Sequence, residues 1–229
     1  MYIDYYYLIL VLPAAIFAMW AQAQVSGTFN KYSRVPTRSG MTGAMAAEAV
    51  LRSAGISDVR IEHISGNLTD HFDPRSKVIR LSDSVYQSSS VAAVGVAAHE
   101  AGHAVQHAVG YAPIKLRNAI IPVTQIGSTL SMPLLLIGLF FNYPPLFYAG
   151  ILFFGLATLF QLVTLPVEFN ASHRAIVALD EGSLLSEDEL PGAKKTLRAA
   201  ALTYVAALAV SVAQLLRLLL IFGRNNRDD

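Results

Sequence analysis

Four long apolar segments constrain most strongly how this chain can fold. They lie at residues 5–23, 119–141, 146–165 and 199–222. A helix that crosses a bilayer needs about 20 apolar residues, and each segment is close to that length. The chain of 229 residues is 54% hydrophobic and only 14% charged, which exceeds the apolar fraction usual in soluble domains. The sequence therefore predicts a mainly α-helical, membrane-embedded protein with about four transmembrane helices.

The apolar segments also divide the chain. Segment 5–23 lacks the positive start and the small-residue cleavage pattern of a removable signal peptide, so we interpret it as a retained anchor. Residues 119–165 predict a transmembrane hairpin, because only Asn142-Tyr143-Pro144-Pro145 separates its two apolar stretches. Residues 24–118 are then a catalytic domain candidate, and residues 166–198 a second region outside the bilayer.

The basic residues indicate an orientation. Ten Lys or Arg fall in 24–118 and four in 166–198, whereas only Arg224 and Arg227 follow the last apolar segment. Positive residues favour the cytoplasmic side, so we expect both basic regions in the cytoplasm and both termini outside. Arg217 lies in the last turns of the fourth segment, from where we expect its side chain to reach toward the interface.

Outside the apolar segments, the pattern is typical of a small α+β domain. A Thr42 hydroxyl can cap a first helix, and three consecutive serines precede a second one. The predicted elements are a helix over 43–54, strands around 61, near 68–72 and over 77–81, a helix over 91–108, and an exposed acidic loop over 181–192.

The strongest chemical pattern is His99-Glu100-Ala101-Gly102-His103, an H-E-x-x-H motif within the predicted helix 91–108. Residues four apart share one helix face, so His99 and His103 can bind a single zinc ion. Glu100 is placed to take a proton from a water on that metal, whose pKa zinc lowers to about 7. With six histidines in the chain, a chance match to this pattern is rare.

A catalytic zinc normally takes three protein ligands, and Glu168 is the best candidate for the third. It follows the third apolar segment directly, and the predicted topology returns it to the side of the motif helix. The alternative is a solvated glutamate at the membrane interface. Composition restricts the other possibilities, because the chain has no cysteine and hence no thiolate ligand or disulfide. A net charge of +1 gives no indication of a nucleic-acid partner.

Several segments together resemble one known family. They are Ser39-Gly40-Met41-Thr42-Gly43, the turn over 70–75 with the residues 77–82 after it, the motif region 97–107, and the stretch 162–171. Over nearly its whole length the chain is similar to the YugP-type membrane zinc metallopeptidases, described as neutral zinc metallopeptidases. The resemblance implies a gluzincin-like endopeptidase of the bacterial plasma membrane with one catalytic Zn2+. It would hydrolyse peptides or membrane proteins near the lipid bilayer, and its oligomeric state and protein partners stay open.

A more distant likeness is to the HtpX and CAAX prenyl protease group, which has a zinc helix and a later E-F-x-A-D segment. Glu168-Phe169-Asn170-Ala171 fits that segment, but Ser172 replaces its final aspartate. In that group the aspartate orients a zinc-bound histidine. Here Asn170, Ser172 or Asp70 could take its place.

The likeness also suggests how substrate is held. The predicted strand Lys77-Val78-Ile79-Arg80-Leu81 precedes the zinc helix as the substrate-binding edge strand does in such peptidases. His71 and His173 are candidates to stabilise the oxyanion, with an ordinary surface role as the alternative. His107 lies two turns beyond His99 and is expected to be structural or to support a ligand.

Two other hypotheses remain open at this point. One is an intramembrane protease of the site-2 type, in which the zinc helix itself lies in lipid. The other is a non-catalytic membrane scaffold that binds zinc, which would have no need of Glu100 as a base.

Overall fold

The computed structural model describes residues 4–225, with side chains up to Ile221. Arg227 therefore lies outside the described residues, as does the side chain of Arg224. The elements are a π-helical segment Tyr7–Val11, then α1 (Leu12–Tyr32), α2 (Gly43–Ser53), β1 (Arg60–Ile64), β2 (His71–Asp73), β3 (Val78–Ser82), α3 (Val91–Ala108), α4 (Ala112–Phe140), α5 (Pro144–Glu181) and α6 (Leu190–Asn225). The predicted fold class, mainly α-helical with a small sheet, is confirmed.

Four helices are long and apolar enough to cross a membrane: Tyr7–Tyr32, Ala112–Phe140, Pro144–Glu181 and Leu190–Ile221. This agrees with the four predicted spans, but the helices extend well past the apolar segments. In particular, α5 continues for 38 residues, so the third apolar segment and Glu168 belong to one helix. The chain divides into two compact units, one comprising Met1–Ala21, Leu116–Leu165 and Thr203–Asp229, the other Gln22–Lys115 and Pro166–Leu202.

In the first unit, α4 and α5 pack closely at glycines. A Cβ on Gly138 would lie 2.6 Å from the Phe147 nitrogen, and one on Gly150 would lie 2.9 Å from the Leu135 nitrogen. Small residues allow such backbone contact between helices in lipid, where van der Waals packing drives association. The predicted hairpin is thus held by two glycines in addition to its short loop.

Arg217 in the first unit forms an ion pair and lies near an aromatic ring. Its Nε lies 2.5 Å from Asp4 Oδ2, and its guanidinium carbon lies 5.6 Å from the centre of the Tyr7 ring. An arginine in an apolar helix is costly unless paired. The ion pair with Asp4 satisfies this charge within the protein, and the reach of the side chain toward the interface stays a prediction.

The second unit has its core around α3, of which most residues are buried. Side chains of α2, β3, α5 and α6 pack against it, including Val50, Leu81, Leu179 and Leu197. The start of α3 agrees with the prediction, because the Ser90 hydroxyl accepts a hydrogen bond from the Ala93 nitrogen at 3.3 Å. Thr42 caps α2 in the same way.

The sheet order corrects one prediction. The strands lie in the order β1-β3-β2, with β1 parallel and β2 antiparallel to β3. The residues Lys77, Val78, Ile79, Arg80 and Leu81 therefore do not form a substrate-binding edge strand: Lys77 precedes β3 and the other four lie in it. β3 is central, paired with β1 along its whole length and with β2 over residues 78–80. Beyond the short β2 ladder, the Asp70 carboxylate accepts the Ser82 N–H at 2.8 Å.

Two local predictions also need correction. The strand expected near 68–72 begins only at His71, because Leu68 has a φ of 55° and cannot continue an extended strand. The acidic stretch is not wholly exposed, since Glu189 is buried. Its carboxylate accepts hydrogen bonds from the Ser186 backbone and hydroxyl at 2.8 and 2.7 Å, and from the Arg38 nitrogen at 2.6 Å.

Glycines on α3 set how closely the other helices approach it. A Cβ on Gly102 would lie 2.6 Å from the Ala171 carbonyl oxygen of α5, and one on Gly95 would lie 3.3 Å from the Ala193 Cβ of α6. Gly102 is one of the two variable residues in the H-E-x-x-H motif. Its missing side chain lets α5 contact the motif helix beside both histidines.

We expect Gly102→Ala to lower the free energy of unfolding by about 1–3 kcal/mol, the usual result of forcing an extra methyl group into a packed core. Thermal unfolding of the protein in detergent measures this. Gly27→Ala is the matched control, since nothing lies within 4 Å of the Cβ it would add to α1. Equal melting temperatures for the two variants would contradict the proposed close contact.

Candidate metal centre

The two motif histidines lie side by side on α3. Their ring centroids are 4.7 Å apart, and their ring planes are inclined at 81°. His103 is buried and His99 is half-buried. The one-turn spacing predicted from the sequence thus places both imidazoles at the same point of the helix surface.

Glu168 reaches the same point from α5. Its Oε2 lies 3.3 Å from His99 Nε2 and 3.5 Å from His103 Nε2, and the side chain is almost completely buried. One ligand atom from each residue lies within 4.8 Å of the others, which makes the three a group able to hold a metal ion. The structure brings the predicted ligand set together.

The spacing of these atoms fits zinc. In a tetrahedral site with zinc–ligand bonds of about 2.0–2.1 Å, neighbouring ligand atoms are separated by about 3.3–3.4 Å. The two distances from Glu168 Oε2 agree with that value. Two neutral imidazoles and one carboxylate also suit a divalent cation, since the carboxylate offsets half of its charge.

The second nitrogen of each histidine is held by a different element. His99 Nδ1 lies 3.1 Å from the Ser172 hydroxyl of α5, and His103 Nδ1 lies 3.1 Å from Gln106 Oε1 of α3. Partners of this kind fix the tautomer and the ring orientation of metal ligands. Ser172 therefore occupies the place of the missing aspartate beside His99.

Gln106 was not identified from the sequence. It is completely buried, and its Nε2 donates to the Val167 carbonyl at 2.7 Å and to Asn170 Oδ1 at 3.0 Å. A buried amide one turn after a ligand on the same helix is a pattern that could have indicated it. Asn170 thus supports Gln106 instead of contacting a histidine directly.

Glu100 lies between the two histidines in sequence and is mostly buried. It is close enough to Asp70 for its charge to matter. Burial raises the pKa of the Asp70 carboxyl and hydrogen bonds from Ser82 oppose this, while the negative charge of Glu100 raises it further. Asp70 directly precedes β2.

The remaining candidates have partners away from the three ligands. His71 Nδ1 lies 2.9 Å from the Thr69 carbonyl oxygen, so its Nε2 can donate to an oxyanion only in the imidazolium form. The His107 ring packs edge-on against Phe72 at 5.9 Å, which agrees with a structural role. His173 is exposed and lines cavities on both sides of α5.

The fold and the site together indicate a class of protein. It is a membrane protein in which two histidines of α3 and one glutamate of α5 form a group able to hold a metal ion. Residues 7–223 match the family described as "Putative neutral zinc metallopeptidase". The chain belongs to this family, which confirms the resemblance found from sequence. It is 44% identical over 223 residues to the "Putative membrane protease YugP" of Bacillus subtilis (strain 168), covering 97% of this chain and 99% of that protein. No solved structure matches it.

We expect Glu168→Ala to remove most of the zinc from the purified protein, because two imidazoles alone bind the ion far more weakly. Metal analysis after gel filtration measures the zinc content. Glu181→Ala, at the exposed end of the same helix, should keep the wild-type content. Stoichiometric zinc in Glu168→Ala would refute the ligand assignment.

Proposed function

We propose that this protein is a membrane-anchored zinc metalloendopeptidase that hydrolyses peptide bonds with Glu100 as its base and His99, His103 and Glu168 as metal ligands. The observation that carries the proposal is the convergence of Glu168 Oε2 on both Nε2 atoms at 3.3 and 3.5 Å. Membership of a zinc metallopeptidase family supports it independently.

Zinc in this site would supply a Lewis acid that polarises the substrate carbonyl and acidifies the attacking water. The protein residues prepare that chemistry. His99 and His103 present Nε2 lone pairs when their Nδ1–H groups donate to Ser172 and Gln106. Glu168 is enclosed, so its orientation changes little, and its negative charge favours a cation there.

Glu100 is proposed to move the proton. Its carboxylate accepts a proton from the attacking water and then gives that proton to the leaving amine nitrogen, so the base is regenerated. Its mostly buried position beside His99 limits its contact with bulk water. A non-catalytic scaffold would not require a carboxylate there.

The substrate is proposed to bind as an extended strand along β2. Since β3 is central, the sheet edges among the described residues are β1 and β2. β2 carries Phe72 against His107 of α3, and Asp70 before it is influenced by Glu100. Backbone hydrogen bonds to an open edge are a common way to hold a peptide.

A site outside the lipid is supported over a site-2-type arrangement. The motif helix α3 is not among the candidate spans found in the described residues. All three candidate ligands lie in the compact unit that also contains the sheet. The third apolar segment ends at residue 165, and Glu168 follows it by about 4.5 Å of helix rise. This short distance favours membrane proteins, or peptides near the bilayer, as substrates.

The orientation stays a proposal of the same kind. The two regions rich in Lys and Arg, 24–118 and 166–198, belong almost entirely to one compact unit. The distribution of positive charge supports a cytoplasmic location for that unit in the bacterial plasma membrane.

We expect Glu100→Gln to abolish hydrolysis of casein while the zinc stays bound. The amide keeps the size of the side chain but cannot accept the proton from water. Cleavage is followed by gel electrophoresis, with and without a chelator, and the zinc content is measured on the same samples.

Glu48→Gln is the matched control, because Glu48 is exposed on α2 and paired only with Arg52 among the described residues. It should cleave casein at the wild-type rate. If zinc-loaded wild type and Glu100→Gln cleaved casein, or a detergent-solubilised membrane protein, equally well, Glu100 would not be the base. Should both cleave nothing, the scaffold hypothesis gains support.

A further inference from the structure

The structure assigns to Gln106 the role of a positioning residue that fixes the proton of His103 and ties the zinc helix to the segment bearing Glu168. The inference deepens the proposed function and rests on the same metal site. Its basis is a continuous chain of hydrogen bonds whose direction is determined at each step.

The direction is set at Arg174. A guanidinium has donors only, and Arg174 Nε lies 2.8 Å from one Asn170 side-chain atom, which must therefore be the oxygen Oδ1. The same oxygen accepts from a Gln106 side-chain atom at 3.0 Å, and the Val167 carbonyl accepts from that atom at 2.7 Å. Two acceptors at one end of the amide require its NH2 group there.

The other end of the amide is then the oxygen. Gln106 Oε1 lies 3.1 Å from His103 Nδ1 and can only accept. His103 Nδ1 must carry the hydrogen, so in the neutral ring the lone pair is on Nε2, on the side of Glu168. The chain of bonds selects the tautomer that a metal ion needs.

The same side chain also joins the two ligand-bearing helices. Val167 is the residue before Glu168, so the Gln106 amide contacts His103 with one end and the backbone beside the third ligand with the other. Gln106 is completely buried, so water cannot replace these bonds readily. Its removal should loosen two ligands at once.

The test compares Gln106→Met with Gln106→Glu. Met removes both functions at similar size, whereas Glu keeps an acceptor for His103 but cannot donate to Val167 or Asn170. We expect Met to weaken Co2+ binding about 10- to 100-fold, as losses of such supporting partners do, and to change the visible spectrum of the bound ion. Glu should restore most of the affinity and the spectrum, with a lower melting temperature.

Co2+ titrations of the full-length protein in detergent, followed by visible absorption, measure both properties. Gln161→Met is the matched control: it replaces another amide of the chain, whose Oε1 is buried with no hydrogen-bond partner among the described residues. It should bind Co2+ as the wild type does. Wild-type affinity and spectrum in Gln106→Met, or equal losses in Met and Glu, would overturn the assignment.

A second variant guards against misfolding of Gln106→Met. Arg174→Met at a half-buried position removes the donor that orients Asn170, and should weaken Co2+ binding by less than Gln106→Met. Unchanged affinity in Arg174→Met would refute the proposed direction of the bonds. If Gln106→Met loses the metal while wild type cleaves no substrate, the positioning role stands and the peptidase proposal fails.

Discussion

The close approach of α5 to α3 at Gly102 is the contact on which the rest of the site depends. A helix supplies two imidazoles by its own periodicity, but the third ligand must come from another element. Glu168 can reach the histidines because the Ala171 carbonyl lies where a Gly102 side chain would be. Gly102 therefore matters for the packing of the two helices, just as the two histidines matter for binding the metal. The Ser172 and Gln106 contacts also need this distance, since both bridge α3 and α5.

The two histidines are supported unequally. His99 meets a hydroxyl, which can donate or accept, while His103 meets an amide oxygen whose orientation is fixed by Asn170 and Arg174. Ser172 adds no negative charge beside His99. Glu168 is the carboxylate of the proposed ligand set. With a neutral partner behind His99, a bound ion would keep more of its positive charge, which would favour polarisation of a carbonyl.

The sequence predicts the features that depend on short-range patterns, such as helical periodicity, or on the length of apolar segments. The motif gave His99 and His103 through helical periodicity, and the apolar segments placed Glu168 on the same side of the membrane as both. It failed where the outcome depends on contacts between distant residues. The order β1-β3-β2 cannot be deduced from alternation along single strands, so the prediction of an edge position for β3 is wrong. Gln106 looked like any helix residue, because its partners are 61 and 64 positions away. The pairing of Arg217 with Asp4 spans 213 positions and was equally hidden.

The helix α5 contributes residues to both compact units. A helix of 38 residues carries both an apolar segment and Glu168, without a loop between them. Neighbouring residues of an α-helix point in directions about 100° apart. A rotation of α5 that brought the next residue to the position of Glu168 would therefore turn Glu168 away from the imidazoles. The close contact of α5 with α3 at Gly102 restricts that rotation within the second unit. Glu168 is thus fixed by packing against the helix that bears both histidines. This arrangement explains how a chain with so small a sheet can hold three ligands at a constant distance.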